Sequence, residues 1–158
     1  MTITDSQLTK VYLAAEGTTV TTASDIATAI AGGTEFQCFQ NFGDIGTSYS
    51  VQTYKCLDQN EVKKSRGSAD LGNINVEFLF DAADTAGQAE LRSLSTSGER
   101  RVCIVKYNDQ ITPTTGNPTY RTFETFVSSD METIAIDQAI VAKFTIEICS
   151  VPDRVVAT

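Results

Sequence analysis

The sequence predicts a mainly β fold, a β-sandwich or small barrel with one α-helix packed on its flank and one long polar loop. Three observations carry this. Ile74, Val76, Phe78 and Phe80 alternate with Asn75 and Glu77; Ala142, Phe144, Ile146 and Ile148 alternate with Lys143, Thr145 and Glu147; and only residues 85–95 show a longer helical spacing. A chain of 158 residues suits one domain, 1–158, in which roughly 70% of the extended-chain surface is buried.

Taken in order, residues 11–15 form a short strand, and residues 24–31 a short helix entered from the polar Thr21, Thr22 and Ser24 and ended by Gly32 and Gly33. Phe36, Cys38, Gln40 and Phe42 then alternate with Gln37, Phe39 and Asn41. Gly43-Asp44-Ile45-Gly46 offers a turn into residues 48–57, so this pair of segments reads as a β-hairpin. In its second arm Tyr49, Val51 and Thr53 share one face, and Ser48, Ser50, Gln52 and Tyr54 the other; both are polar for a sandwich interior. Residues 58–72 lack apolar periodicity and read as a long polar loop, mobile in the isolated chain.

The strand through Ile74 to Phe80 follows, with Leu79 as the exception to its alternation. Asp81 and Asp84 precede the helix at 85–95, in which Ala83, Gly87, Leu91 and Leu94 fall on one side at spacings of four, four and three. Asp84 or Thr85 is the expected N-cap, which accounts for the acids without a catalytic pair. Residues 101–107 form a strand, 108–118 a loop rich in Thr, Pro, Gly and Asn, and 120–127 the returning strand. Ser128-Ser129-Asp130-Met131 reads as a turn into the closing strand, Pro152 stops that strand, and 150–158 is a C-terminal arm.

Twelve basic against twenty acidic residues leave a net charge of −8, which disfavours whole-surface attraction to nucleic acid. The absence of histidine removes Ser-His-Asp and Cys-His catalysis and imidazole metal ligands, and no motif assembles the remaining reactive side chains, so no enzyme, cofactor or metal site is expected. Cys38, Cys56, Cys103 and Cys149 are too widely spread for a close-spaced ligand pair and read as buried thiols. No apolar run is long enough for a membrane helix, and residues 1–10 lack the basic and apolar regions of a secretory signal, so residence in the cytoplasm is expected.

From Ser65 onward the segments resemble the tail tube (major tail) proteins of lambda-like siphophages. The carrying pieces are the basic stretch Lys64-Ser65-Arg66-Gly67-Ser68-Ala69-Asp70, the strand Asn73-Ile74-Asn75-Val76-Glu77-Phe78-Leu79-Phe80, the acidic turn and Gly87-Gln88-Ala89-Glu90-Leu91 helix start, Phe123-Glu124-Thr125-Phe126-Val127-Ser128-Ser129, and the closing strand 140–151. Thr125 departs from the family, which commonly has glycine there, and the additional immunoglobulin-like domain of some relatives is not expected beyond the tube domain 1–158.

The resemblance implies a structural subunit whose homo-hexameric rings stack into a hollow virion tail tube, assembled in the host cytoplasm. That tube encloses a tape-measure protein, meets tail-tip and tail-terminator proteins at its ends, and conducts DNA without binding it specifically. Ser48, Ser50 and Gln52 are then candidates for a wet, lumen-facing strand, and the acidic excess suits either such a conduit or ordinary solubility. Lys63, Lys64 and Arg66 form the basic cluster, for which a solvated loop, a ring-stacking contact and a DNA contact are all open; with Asp70 they are the candidate ring-stacking residues. The alternative function is a monomeric β-sandwich recognition module for carbohydrate or adhesion; the lack of tryptophan leaves it few stacking platforms.

Overall fold

Alternation of apolar and polar side chains does produce strands here, and their pairing generates one large antiparallel sheet and a separate two-stranded one. The computed structural model describes residues 9–55, 62–84, 86–109 and 118–156. The elements are β1 (Lys10–Leu13), α1 (Ala23–Gly32), β2 (Thr34–Glu35), β3 (Phe39–Asn41), β4 (Ser48–Lys55), β5 (Val62–Asp70), β6 (Asn73–Leu79), α2 (Gly87–Ser97), β7 (Arg101–Lys106), β8 (Thr119–Thr133), β9 (Val141–Ile148) and β10 (Asp153–Val156). The large sheet runs β2-β1-β7-β8-β9-β6-β3, with β10 on β8, and β4 and β5 form a second, two-stranded sheet.

Two cores flank the sheet. Val11, Leu13, Ile74, Val76, Phe78, Cys103, Val105, Phe123, Phe144 and Ile146 bury one face together with Leu91 and Leu94 of α2. Phe78 makes edge-on contacts with Phe36 and Phe144 at centroid distances of 5.6 and 5.8 Å. Tyr12, Ala14 and Ile104 point the other way and pack with Ile26 and Ala29 of α1. β1 and β7 are thus covered on both faces, which is why Val11 to Ala15 and Val102 to Val105 are nearly continuous apolar runs. Two helices flank the sheet, where one was expected.

Both helices are set by local chemistry. Thr22 Oγ1 accepts from Asp25 N at 3.2 Å while Asp25 Oδ2 accepts from Thr22 N at 2.8 Å, a reciprocal capping box. The start of α2 differs from the expectation of Asp84 or Thr85 as N-cap: the N-cap is Ala86, which makes no side-chain capping hydrogen bond, and Asp84 stands two residues ahead of it, its carboxylate accepting from Ala86 N at 2.8 Å and Gln88 N at 3.0 Å; Thr85 lies outside the described residues. Gly98 ends α2 at φ 69°, a left-handed conformation that costs glycine least.

Four expectations about the strands are corrected. Segments 36–42 and 48–55 do not pair with each other: β3 pairs with β6 (Phe39 opposite Phe78) and β4 with β5 (Ser48 opposite Asp70, Gln52 opposite Ser65), and residues 56–57 of the expected second arm lie outside the described residues. Both therefore lie on one arm of a long, bent hairpin, with β5 and β6 as the returning arm. Second, the polar loop expected at 58–72 is a strand over Val62–Asp70; its missing apolar alternation reflects exposure on both faces rather than irregular backbone. The part at 58–61 lies outside the described residues.

Third, residues 128–131 do not turn. β8 continues to Thr133 through a bulge between Val127 and Ser129, and the reversal comes at 134–140. The extra residue flips the side-chain parity: Val127 faces the core with Ile146, but beyond the bulge Ser129 pairs outward with Thr145. Fourth, the C-terminal arm carries β10, which pairs with the start of β8 (Arg154 opposite Arg121). Of the loop expected at 108–118, residues 110–117 lie outside the described residues.

Candidate assembly interface

An isolated two-stranded ribbon is marginal in water, and among the described residues β4–β5 has no third strand. Along β4 every residue is exposed, and along β5 all but Gly67 are. At about 3.3 Å per residue, an eight-residue strand such as β4 extends roughly 26 Å. The ribbon holds its register through a bulge at which Ser50 faces Gly67 and Ser68; a side chain at Gly67 would collide with Ser50 Oγ.

Register sorts the expected site residues onto two faces. Ser48, Gln52 and Tyr54 lie with Asp70, Ser65 and Lys63, making a hydroxyl, amide and charge surface. Tyr54 Oη donates to Gln52 Oε1 on that face, and Ser50 Oγ donates to Ser68 O at 3.5 Å. Tyr49, Val51, Thr53 and Lys55 lie with Ala69, Arg66, Lys64 and Val62, an apolar surface edged with cations. The Arg66 guanidinium stacks 3.1 Å from the Tyr49 ring centroid. The basic cluster is therefore divided: Lys64 and Arg66 on the apolar face, Lys63 on the polar one. Asp70 turns the chain into β6 by accepting from Gly72 N at 3.0 Å.

Of the helix-packing residues, Gly87, Leu91 and Leu94 are buried as the spacing requires, whereas Ala83 is exposed ahead of the helix. Its place is taken by Gln88, buried despite its polarity because Nε2 donates to Leu79 O at 2.7 Å. The three-residue step from Gln88 to Leu91 carried that signal; only the polar side chain concealed it. Arg92, one position beyond Leu91, reaches Glu132 at 3.2 Å and Asp130 at 3.9 Å and lies over Phe80.

The face of β6, β9 and β8 opposite α2 is polar. Ser129 Oγ donates to Thr145 Oγ1 at 2.9 Å, Thr145 Oγ1 donates to Asn75 Oδ1 at 3.1 Å, and Lys143 pairs with Glu77 at 3.0 Å. Along β8, β7 reaches only to Thr125, so residues 126–133 have no strand on that side among the described residues. Such an open edge is a template for another strand. Sequence reasoning also missed the exposed apolar group Met131, Ile134 and Ile136, because it assigned Met131 to a turn before the closing strand.

Burial pushes the Cys103 thiol up to about 12, so it stays protonated, and no group of three or more His, Cys, Asp or Glu side chains converges among the described residues.

No family model and no curated protein matches the chain. Solved structures do. A chain of the six-fold symmetrised baseplate of the anti-feeding prophage superposes with a TM-score of 0.71 at 8% identity, over 98% of this chain and 97% of that one. A chain of the sheath/tube terminator of the extracellular contractile injection system PVC, in its extended state, gives 0.69 at 13% identity over 98% and 97%. The SPP1 tail tube gives 0.61 at 9% identity over 94% of this chain and 76% of that one. The fold is thus that of phage tail tubes and related injection systems.

Proposed function

We propose that the chain is a non-enzymatic structural subunit of a phage tail tube, in which homo-hexameric rings stack into a hollow conduit. The observation that carries this is an unfinished sheet. Strands β3, β6, β9 and β8 are successively antiparallel, and among the described residues none pairs with 126–133 of β8 on its far side. Three successive reversals leave β3 antiparallel to β8, so the β3 arm of a second copy set beside β8 continues the same alternation until the barrel closes and its edges vanish.

Six copies of four strands, about 4.8 Å apart, give a backbone diameter of roughly 35 to 50 Å depending on tilt. A duplex on the order of 20 Å across passes through such a hole. The polar β6–β9–β8 face is suited to a wet wall, because hydroxyls, amides and the paired Lys143–Glu77 offer passing phosphates little net attraction. Ser48, Ser50 and Gln52 on the polar hairpin face extend the same surface chemistry. A tape-measure protein in the lumen, tip and terminator proteins at the ends and a virion-tail location follow from this role. The lambda-like wording of segments 64–80, 81–91 and 123–129 supports a siphophage tube.

Negative-stain electron microscopy of concentrated protein tests the reading: six-fold rings or tubes are expected. Particles that stay single at high concentration would overturn it and favour the monomeric recognition module.

A further inference from the structure

Past the bulge between Val127 and Ser129, the overhanging half of β8 carries Asp130 opposite Phe144 and Glu132 opposite Ala142. Directly opposed residues share a face of a sheet, and Phe144 and Ala142 are buried in the core beneath α2. The change of parity therefore turns two carboxylates, two residues apart on one strand, toward the helix side. Left alone there, they would repel each other beside apolar surface, and the strand would find relief by twisting away.

Arg92 meets both. From α2 its Nη2 lies 3.2 Å from Glu132 Oε1 and its Nε 3.9 Å from Asp130 Oδ2, while the guanidinium stands 5.1 Å from the ring centroid of Phe80, just past the end of β6. The helix that carries it is itself held to β6, because Gln88 donates to the Leu79 carbonyl. Neighbouring charges are engaged elsewhere. Lys143, opposite Met131, points to the other face and pairs with Glu77; Glu90 of α2 pairs with Arg101; Asp81 and Asp84 accept from backbone amides at the helix entry. Among the described residues Asp130 and Glu132 have no other ion pair.

On its β7 side the 126–133 stretch has no strand among the described residues, so β9 along one edge and α2 over one face fix its course. We propose that Arg92 is a positioning residue for assembly: by bridging Asp130 and Glu132 it holds the overhang of β8 extended against α2, in the form with which a strand of a second copy can pair. This rests on the tube reading above and names the side chain that sets its open edge. A partly exposed ion pair contributes little to the stability of a single chain. A closed ring forms every such edge at once, so a small loss at each is multiplied by the number of copies, and assembly is far more sensitive to Arg92 than folding is.

The test uses the full chain as wild type, as Arg92→Glu, and as Arg92→Glu combined with Asp130→Lys and Glu132→Lys, which reverses the pairing. Cooperative thermal unfolding is the folding control; should Arg92→Glu not fold, Arg92→Met, whose stem still covers Phe80, takes its place. In dilute, monomeric protein, hydrogen exchange of a peptide spanning 126–133 should be about tenfold faster in Arg92→Glu, with a peptide spanning β6 unchanged. Sedimentation and electron microscopy should find rings of Arg92→Glu only at protein concentrations about tenfold or more above those of the wild type, and the triple variant should recover on both measures. Exchange and rings like those of the wild type in Arg92→Glu would overturn the positioning role and leave the tube reading intact. Exchange that rises equally across the sheet would overturn it as well, by making Arg92 a general stabiliser. A triple variant that stays impaired would do the same, since the effect would not run through the two carboxylates. A wild type that never forms rings would remove the tube reading and this inference with it.

Discussion

Gln88 Nε2 donates to the Leu79 carbonyl at 2.7 Å, tying the first turn of α2 to the last residue of β6 through a side chain that is 1% exposed. Asp81 N donates back to Gln88 Oε1 at 3.4 Å. Gln88→Leu keeps the volume but strands a carbonyl, and a buried unsatisfied group costs about 1–3 kcal/mol. Urea denaturation of the monomer should show a loss of that order; an unchanged midpoint would mean that water replaces the amide.

Leu91 is fully buried in the core shared by α2 and the sheet, whereas Ala83 is exposed. Leu91→Ala should destabilise the chain by about 2–5 kcal/mol. Ala83→Ser should stay within about 0.5 kcal/mol. Equal effects in chemical denaturation would contradict the placement of the helix start.

The side-chain hydroxyls of Thr22 and Thr21, with their backbone amides, lower the Asp25 carboxyl below its ordinary value. A depressed carboxyl contributes stability above its unfolded value of about 3.9, and that contribution is lost as pH falls through the folded value. Asp25→Asn should therefore lower the thermal midpoint at pH 6, with the gap to wild type closing as the pH drops below 4. A gap that persists in acid would assign the effect to packing.

Cys103 is buried and its thiol is pushed up to about 12 by desolvation alone, whereas Cys38 is exposed. Iodoacetamide at pH 8, read by peptide mass spectrometry, should label Cys38 in the native protein and Cys103 only after denaturation. Because the folded value is raised, its share of stability is complete below the ordinary thiol value of about 8.5 and is lost as pH rises toward 12. Native labelling of Cys103 as fast as Cys38 would contradict its burial.

Much of the core was legible because period-two alternation is a local signal. Ile74, Val76, Phe78, Ala142, Phe144 and Ile146 are buried as their spacing requires, and Leu91 and Leu94 face the sheet. The candidate site was legible only as composition. Lys64 and Arg66 stood out as cations, but nothing local says that they share a face with Tyr49 and Val51, because that depends on a partner strand many residues away and on the bulge opposite Ser50. Expecting a loop at 58–72 was the natural error: a strand wet on both faces has no apolar rhythm by which to recognise it.

The amino-acid order by itself determined the β-rich class, the inward residues of β6 and β9, the presence of both helices and the exclusion of histidine chemistry, since each depends on neighbours within a few residues or on composition. Tertiary structure alone decided that 36–42 and 48–55 lie on one arm, that β8 runs on to Thr133, and that its edge is left open. Strand pairing joins residues far apart in the chain, and one extra residue at Val127–Ser129 is enough to turn every later side chain of β8 to the opposite face.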